Sequence, residues 1–310
     1  MNWTELLERT AKKDPTAFGE LLSLIELEPR GAVGLLDGVC RADTTRRTDS
    51  VGFVGAAGAG KSTLIGGLLR QLSDRGESVA VVAIDPSSPF TGGAVLGDRI
   101  RMQACANLPG VFVRSMGTRG QGGGLSASMP AIVEVLCGLG FDALVVESAG
   151  AGQVDIAIAD VADTVVVVVV PGWGDAIQVA KAGLLEIADI FVVNKCDQPD
   201  ALEAVRDLEM MLSYSRRAGW TPPVLRTSAA SGEGIEVLHA EILRHREHLS
   251  TTGEGMRRRT LRLAAIIKWL AVEEVASVWD DARVLTFARE VASNGMSVTE
   301  AVAHLVGNQT

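Results

Sequence analysis

The sequence predicts an α/β protein, a doubly wound and mainly parallel sheet with helical extensions at both ends. Between about residues 50 and 250, short apolar runs alternate with longer stretches of helical periodicity. This alternation is typical of parallel strands joined by right-handed crossovers. Polar and glycine-rich segments follow several of the apolar runs, as expected where loops leave the carboxyl ends of parallel strands. A chain of 310 residues is long enough for one such domain with appendages.

The first region, residues 1–47, predicts a helical arm. Apolar residues recur there at helical spacing, and the polar stretch 41–49 is interpreted as a linker. We therefore expect the central domain to begin at residue 48. The predicted apolar stripe consists of Phe18, Leu21, Leu22, Leu24 and Ile25.

The central region, residues 48–252, predicts seven strands. A run of six valines ends at Pro171 and indicates a central strand that is buried on both faces. The remaining strands are shorter apolar runs bounded by glycine, proline or polar residues. The predicted strands are Val51–Val54, Ser78–Ile84, Val111–Val113, Ala143–Val146, Val165–Val170, Ile190–Val193 and Val224–Leu225.

The last region, residues 253–310, predicts two or three helices. Ser297 and Glu300 form a capping-box pattern at the start of the final helix. We interpret the basic run 257–259 as a solvated helix start rather than an anion site. One helix carries an apolar face made by Leu261, Leu263, Ile266, Ile267, Leu270 and Val275.

Composition and charge narrow the class of protein. The formal net charge of −9 argues against a general nucleic-acid binder, and the apolar stretches are shorter than a membrane span. The acidic, amphipathic N-terminus is unlike a signal peptide. The four cysteines lack C-x-x-C spacing, so we expect reduced thiols without disulfides or a zinc site. These features predict a cytoplasmic protein with neither nucleic acid nor membrane as a partner.

The segment from Gly55 to Ser62 fits the phosphate-binding pattern G-x-x-x-x-G-K-S/T. A predicted strand precedes it and a predicted helix follows, which argues against a glycine-rich turn without function. Its backbone amides and the helix N-terminus would surround phosphate oxygens. Lys61 would reach the β- and γ-phosphates, and the Ser62 hydroxyl would bind Mg²⁺. The predicted nucleotide contacts here are Gly55, Gly58, Ala59, Gly60, Lys61, Ser62 and Thr63.

A second motif selects the base. Asp197 follows a predicted strand and can accept hydrogen bonds from guanine N1–H and the exocyclic amine, whereas adenine lacks this donor pair. Asn194 would brace the loop and the stem of Lys195 would cover the base. Ser228 and Ala229 follow the next predicted strand and would contact the guanine carbonyl. The sequence therefore predicts a P-loop GTPase domain that binds GTP and GDP rather than ATP.

Acidic residues at strand ends predict the metal site and a nucleotide switch. Asp85 ends a strand and would reach the Mg²⁺ shell, which Asp98 would join when its loop closes on GTP. Their alternative roles are a helix N-cap and a solvated turn. Glu147 is the expected water-mediated Mg²⁺ ligand, and the Gly150 N–H would contact the γ-phosphate only while GTP is bound. The predicted metal ligands are Ser62, Asp85, Asp98 and Glu147, and Lys61, Asp85, Asp98, Glu147 and Gly150 are the predicted catalytic residues.

Two further residues have open roles. Gln153 either orients the attacking water or is a surface residue. Arg119, in the glycine-rich stretch 117–124, is either an arginine finger or an ordinary loop residue.

Together these residues resemble the MeaB-type GTPase chaperones of cobalamin-dependent acyl-CoA mutases, also known by the older labels ArgK and LAO/AO transport-system kinase. The family segment DPSSPxxGGAxLGDRxRM is matched from Asp85 to Met102, and LEIADIxVVNKxD from Leu185 to Asp197. The resemblance covers essentially the whole chain. It implies a homodimer built through the helical extensions. It also implies that GTP hydrolysis gates cofactor loading and protection of a mutase.

The resemblance also implies a partner-coupling segment at 171–181, in which Asp175 and Lys181 connect nucleotide state to the partner. The alternative roles of these two residues, from sequence alone, are a helix N-cap and a helix-surface lysine. Two departures from the family pattern are visible. Ala56 and Ala57 replace two prolines in the phosphate loop, and the ETVGVGQSE segment is altered within 147–155. We expect the first change to loosen the entrance of the phosphate loop. We expect the second to alter the rigidity of the segment 147–155, which would respond to the γ-phosphate.

Three other functions stay open. A small-molecule kinase needs an acceptor pocket and a base near the γ-phosphate, and no motif supplies them. A metallochaperone GTPase for nickel or cobalt needs soft or imidazole ligands. Of the four histidines, His245 and His248 lie three apart on a predicted helix, and we interpret them as a solvated face. The third is a non-enzymatic binding scaffold, which is tested by whether binding depends on which nucleotide is present.

Overall fold

The computed structural model describes residues 3–29, 31–41, 47–85, 105, 107–117, 125–148, 150, 153–172, 183–214, 219–276, 281–293 and 295–306. Its centre is a seven-stranded sheet with the order β3-β2-β4-β1-β5-β6-β7. All six strand pairs are parallel. The strands are β1 Ser50–Val54, β2 Val79–Asp85, β3 Val111–Gly117, β4 Ala143–Glu147, β5 Thr164–Val169, β6 Ile190–Val193 and β7 Val224–Arg226.

The sheet confirms the predicted fold class. Successive strands run outward from β1 to β3 and then return across the sheet to β7. Because parallel crossovers are right-handed, this reversal places helices on both faces. It also makes a ligand site at the carboxyl ends of the strands next to β1.

The predicted strands are all present, with small differences at their ends. β6 has the predicted bounds, whereas β3 continues to Gly117, paired with β2 up to Asp85. The sequence prediction stopped at Val113 because the polar residues Arg114 and Ser115 follow it. These two polar residues are nevertheless in a strand because they pair with residues of β2.

The helices of the first 252 residues are α1 Trp3–Ala11, α2 Pro15–Leu27, α3 Ala32–Arg41, α4 Lys61–Asp74, α5 Met129–Gly138, α6 Gln153–Ala157, α7 Leu184–Ile187, α8 Ala201–Tyr214 and α9 Ile235–Thr252. A 3-10 turn at Ile158–Asp160 follows α6. In the described residues after 252, three more helices follow: α10 Glu254–Ala276, α11 Asp281–Ala292 and α12 Val298–Val306.

The N-terminal arm packs against the β3 edge of the sheet. Asp14 caps α2 by accepting from the backbone amides of Thr16 and Ala17 at 2.9 and 3.3 Å. The Phe18 ring lies 5.7 Å from Phe112 and 5.9 Å from Phe141, measured between centroids. The predicted apolar stripe is buried, as its helical spacing required: Phe18, Leu21, Leu22, Leu24 and Ile25.

The core of the central region is aliphatic. β1 and β5 are buried at every position because neighbouring strands and helices cover both their faces. Helix α4 adds apolar side chains from one of its faces to this core. Its buried residues in the core are Leu64, Ile65, Leu68, Leu69 and Leu72.

The chain divides into two compact units, residues 1–266 and 267–310. In the second unit the Phe287 and His304 rings stack with centroids 5.9 Å apart. The predicted capping box is present at the start of α12: the Ser297 amide donates to Glu300 Oε2 at 2.8 Å, and the Glu300 amide donates to Ser297 Oγ at 3.2 Å. The domain boundaries at residues 47 and 252 stay predictions.

Helix α10 differs from its prediction in two ways. Of its predicted apolar face, Ile266 is buried, whereas Leu261 and Ile267 are 56% and 67% exposed. The interpretation of the basic run as a solvated helix start is wrong for Arg258 and Arg259, whereas Arg257 is exposed as predicted. Arg258 donates two hydrogen bonds to Asp189, at 2.7 and 2.9 Å, because the buried acid that precedes β6 needs a cationic partner.

The interpretation of His245 as part of a solvated face is wrong. Its side chain is 1% exposed, and its Nδ1 lies 2.8 Å from Thr164 Oγ1. Its Nε2 lies 3.4 Å from Asp189 Oδ1. The helix places this histidine against the amino ends of β5 and β6, and the contacts come from distant parts of the chain.

Cys40, Cys105, Cys137 and Cys196 are free thiols, and complete burial raises the pKa of Cys137 to about 12. Within the described ranges, every helix is too short or too polar to cross a membrane.

Candidate nucleotide-binding site

The phosphate loop connects β1 to α4 and requires glycine at two close approaches. Gly55 and Gly60 have φ of +138° and +90°, which residues with a Cβ rarely adopt. A Cβ on Gly55 would lie 2.1 Å from the Val168 carbonyl oxygen. A Cβ on Gly60 would lie 2.3 Å from Asn194 Nδ2. The loop therefore lies tightly against the ends of β5 and β6.

Lys61 begins α4 and extends back over this loop. The residue is 5% exposed, and its ammonium donates to the carbonyl oxygens of Gly55 at 2.6 Å and Ala56 at 3.1 Å. The first turn of α4 also contributes the amides of Lys61, Ser62 and Thr63, which precede the first intrahelical bond from Leu64 to Gly60. A cation and a set of amide donors thus face the same loop, which suits the oxygens of a phosphate group.

Ser62 and Glu147 form the polar pair beside the loop. The Ser62 hydroxyl donates to Glu147 Oε1 at 2.6 Å, and Glu147 ends β4 with 6% exposure. β4 lies next to β1 in the sheet, which brings this carboxylate to the start of α4. A hydroxyl and a carboxylate oxygen are ligands that Mg²⁺ prefers, so this pair fits the metal of a nucleotide site.

The segment after β4 touches the phosphate loop at Gly150. Its φ is +77°, and a Cβ there would lie 2.6 Å from the Ala57 amide nitrogen and 2.7 Å from the Gly55 carbonyl oxygen. Only glycine fits so close to another backbone. The Ser148 hydroxyl donates to Asp155 and fastens the start of the segment to α6. Gly150 therefore packs directly against the backbone of the phosphate loop.

Asn194 links the loop to the other strands. Its Nδ2 donates to the Ala59 carbonyl oxygen at 2.8 Å. Its Oδ1 accepts from the Ala229 amide at 3.0 Å and from Thr227 Oγ1 at 3.1 Å. One buried side chain thus joins the phosphate loop to β6 and to the segment after β7.

The residues predicted to recognise the base lie on the segments that follow β6 and β7. Lys195 has φ of +57° and donates from Nζ to the Gly58 carbonyl oxygen at 3.1 Å, so its stem lies beside the loop. Asp197 is exposed, and its carboxylate is accessible from solvent. Ser228 is buried and its amide donates to Glu233. The carboxyl ends of β1, β6 and β7 therefore converge around one surface.

Comparison with known proteins agrees with this geometry. Residues 21–283 match the family described as Methylmalonyl Co-A mutase-associated GTPase MeaB. The chain belongs to the MeaB family. It is therefore a GTPase, and the resemblance deduced from its motifs is confirmed.

Individual MeaB-family relatives cover most of the chain. A Pyrococcus abyssi protein that carries GTPase in its name is 44% identical over 85% of this chain and 82% of its own length. GTPase ArgK of Escherichia coli strain K12 is 32% identical over 86% of this chain and 82% of its own length. The methylmalonic aciduria type A homolog of Mus musculus, named as mitochondrial, is 34% identical over 67% of this chain and 51% of its own length.

A solved structure shares the fold. The crystal structure of an LAO/AO transport system kinase superposes with a TM-score of 0.67 and 24% identity. The match covers 100% of this chain and 99% of that one.

The structure of this MeaB-family GTPase brings together most of the predicted site residues. The backbone of Asp85 ends β2 beside β4, where Ala83 pairs with Glu147. The side chains of Asp85 and Gln153 lie outside the described residues. Asp98, Arg119, Asp175 and Lys181 lie outside them altogether.

Sequence analysis missed two contacts that shape the site. Thr227 bonds to Asn194, and Asp155 bonds to Ser148. Asn194 belongs to the base motif, and Ser148 and Asp155 both lie in the altered segment 147–155, but neither contact was predicted. The hydroxyl of Thr227, next to the predicted base contact Ser228, was the only hint of a polar contact there. Its partner Asn194 follows a different strand, so the sequence did not reveal the pairing.

Proposed function

We propose that this MeaB-family GTPase uses a Mg²⁺-dependent cycle between GTP and GDP to serve as a chaperone of a cobalamin-dependent acyl-CoA mutase. The observation that carries the proposal is the approach of Gly150 to the phosphate loop, with 2.6 Å between a hypothetical Cβ and the Ala57 nitrogen. A segment held this close can respond to the presence of a γ-phosphate. The family description and the name of the mouse relative support a mutase as the partner.

The chain's own residues supply binding and charge stabilisation. Lys61 would exchange its loop carbonyl partners for oxygens of the β- and γ-phosphates, aided by the amides of the loop and of α4. Ser62 would hold Mg²⁺ directly and Glu147 through water, with Asp85 and Asp98 completing the shell. When bound, this ion would supply positive charge against the negative charge that develops on the phosphate in the transition state. Most catalysis would then be positioning and electrostatics.

Guanine recognition would use the surface beside Asn194. Asp197 would accept from guanine N1–H and the exocyclic amine, and the Lys195 stem would cover the base. Ser228 and Ala229 would contact the guanine carbonyl through their backbone amides, which would give up their present acceptors, the Glu233 carbonyl oxygen and Asn194 Oδ1. Asn194 would contribute indirectly, since its side-chain amide fixes the phosphate loop through the Ala59 carbonyl oxygen.

The switch would pass from nucleotide to partner. The Gly150 N–H would contact the γ-phosphate, and hydrolysis would release the segment. Asp175 and Lys181 would couple this change to the mutase, and the helical extensions would form a homodimer. In this proposal the protein works in the cytoplasm and gates cofactor loading and protection of its client.

The alternative functions gain less support. The solved transport-kinase structure shares the fold, and a fold does not decide which acceptor is used. In the described part of the chain, no group of three or more His, Cys, Asp and Glu side chains is placed to hold a metal ion. A metal-delivery function therefore has no observation in its favour there.

A direct test measures binding of candidate cobalamin-dependent acyl-CoA mutases to the protein loaded with GDP or with a non-hydrolysable GTP analogue. We expect the affinity for the client to differ between the two states by at least about fivefold, the lower end of typical allosteric coupling. Equal affinity in both states would remove the switch from the proposal. Absence of binding to any mutase would remove the chaperone role and leave the GTPase.

A further inference from the structure

A second group of charges lies at the amino ends of the central strands, opposite the nucleotide site. Asp163 directly precedes β5, and its Oδ2 accepts from the Ser50 amide and hydroxyl at 2.9 and 2.8 Å. Arg262 of α10 is 2% exposed and donates to Asp163 Oδ1 at 3.0 Å. The same guanidinium donates to the Val161 carbonyl oxygen at 2.8 Å. This end of the sheet is therefore held together by buried ions.

Glu134 of α5 is fully buried and accepts hydrogen bonds from three arginines. Arg47 bonds to Oε2, Arg259 to Oε1 at 3.0 Å, and Arg262 to Oε2 at 3.2 Å. Three guanidinium groups thus share two carboxylates, those of Glu134 and Asp163. Among the described residues, this buried group carries one more positive than negative charge, a state that burial makes costly unless an anion offsets it.

The carboxylate of Asp49 also attracts Arg47 and Arg262, which reduces this excess, but it forms its ion pair with a different arginine. Arg246 and Asp49 form their own pair at 2.8 Å, which is neutral as a unit. Glu247 is exposed, so water screens its charge from the buried group.

A cavity of about 550 Å³ opens beside these arginines, within the first compact unit. We call it the basal cavity. Its volume lies within the range of small-molecule sites. The residues that line it are Arg47, Asp49, Asp163, Leu243, Arg246, Glu247, Leu249, Ser250, Gly253, Gly255, Met256, Arg259 and Arg262.

Two of the arginines have donors left for a ligand. In the described structure, Arg47 and Arg259 each give Glu134 one nitrogen, Nη2 and Nε respectively. A guanidinium has five N–H donors in a planar fork. Both side chains are 13% exposed and line the cavity, which leaves part of each fork facing the space where a ligand would sit.

We propose that the basal cavity binds a small organic anion through Arg47 and Arg259. The ligand carries a carboxylate or a phosphate group, since guanidinium forks bind both with paired hydrogen bonds. Its charge offsets the excess positive charge around Glu134. The cavity and the phosphate loop lie at opposite ends of β1, roughly 15 Å apart for five strand residues, so this ligand does not compete with nucleotide.

The test is calorimetric titration of the protein saturated with GDP and Mg²⁺, at constant ionic strength. GDP occupies the phosphate loop and prevents the probes from binding there. Phenyl phosphate and benzoate share a ring and differ in the anionic group, so their relative affinities identify the preferred chemistry. We expect saturable binding of at least one probe, and weakening by at least about tenfold in Arg47→Gln and in Arg259→Gln.

The same basic run supplies a matched control. Arg257 is exposed and pairs with Glu254, outside the cavity lining, so Arg257→Gln changes probe affinity less than about threefold. Ser250→Trp keeps every charge and fills part of the cavity, and we expect it to block the probes. Unchanged GDP affinity in each variant shows that the domain is folded.

Three results would overturn the proposal. The first is absence of saturable binding of both probes to the unaltered protein. The second is equal weakening in Arg257→Gln and Arg259→Gln, which would indicate general screening. The third is full binding in Ser250→Trp. Failure of GDP to bind to the unaltered protein would concern the nucleotide site alone, because that protein carries no change at the cavity.

Discussion

Replacement of Gly150 by alanine tests the connection between the switch segment and the phosphate loop. The added Cβ would lie 2.6 Å from the Ala57 nitrogen, about 0.8 Å short of an ordinary 3.4 Å contact. The atoms it meets are backbone, and Asn194 holds the loop from the other side. The switch segment therefore has to retreat from the loop.

The size of the effect follows from this retreat. An N–H···O bond of about 2.9 Å that lengthens by about 0.8 Å passes the usual limit for a hydrogen bond. Loss of one bond to a charged oxygen costs about 1.5–3 kcal/mol. Since only GTP supplies the γ-phosphate, we expect Gly150→Ala to weaken binding of a non-hydrolysable GTP analogue by about 10- to 150-fold. GDP affinity should change less than about threefold.

The assay is competition of GDP and the analogue for a fluorescent guanine nucleotide. Gly76→Ala is the matched control because Gly76 has φ of +78°, close to the +77° of Gly150, with no atom within 4 Å of its Cβ position. Both variants carry the cost of a left-handed alanine, about 1–2 kcal/mol, and only one carries the clash. Equal loss of GDP and analogue affinity in Gly150→Ala would refute the reasoning.

Four further predictions concern single side chains. Lys61→Ala should abolish tight GTP binding, measured by equilibrium titration, because the cation facing the phosphates is lost. Asp197→Asn should weaken the preference for guanine over adenine by at least about tenfold in competition with ATP. Lys181→Ala should spare intrinsic hydrolysis and weaken activation by a partner, measured as phosphate release. Asp189→Asn should lower the free energy of unfolding in urea by about 3 kcal/mol at pH 7, because Arg258 loses its buried carboxylate.

The effect at Asp189 depends on pH in a defined direction. Burial opposes ionisation, but hydrogen bonds from His245 and Arg258 lower the pKa of Asp189 to about 2. A depressed folded-state pKa contributes stability above the unfolded value, near 4, and loses it as pH falls towards 2. The difference between Asp189→Asn and the unaltered protein should therefore shrink below about pH 4. A difference that is constant with pH would contradict the ion pair.

The other three predictions have equally plain refutations. Unchanged GTP and GDP affinity in Lys61→Ala would exclude the phosphate role of that lysine. Unchanged guanine preference in Asp197→Asn would mean that another group selects the base. A large fall in the partner-free rate of Lys181→Ala would show a role in hydrolysis itself.

The sequence predicts the sheet well because parallel strands that are buried on both faces appear as continuous apolar runs. The run ending at Val170 and the strand Ile190–Val193 have this form, and both are strands in the structure. The second half of β3 does not, because Arg114 points to the N-terminal arm and donates to Ser23 Oγ at 2.7 Å. That part of the strand is stabilised by a polar contact with a distant segment, so it lacks the apolar pattern that predicts a strand.

The phosphate loop and the base motif are visible in sequence because their chemistry needs particular residues at fixed spacing. The buried charges at the amino ends of the strands could not be predicted from sequence, because their chemistry needs no fixed spacing of residues. His245, Arg258 and Arg259 lie in helices whose surface residues they resemble, and their acidic partners Glu134 and Asp189 come from other elements. Only the tertiary contacts show whether such a helix residue forms a buried ion pair or lies on a solvated face.

The central claim is that GTP hydrolysis by this MeaB-family protein serves a cobalamin-dependent acyl-CoA mutase. The most direct measurement is the steady-state rate of GTP hydrolysis, alone and with candidate mutases from the same source. We predict acceleration of about tenfold or more by one of them, which would also identify the client. Slow turnover that no mutase changes would contradict the claim and direct attention to another partner or a phosphate acceptor.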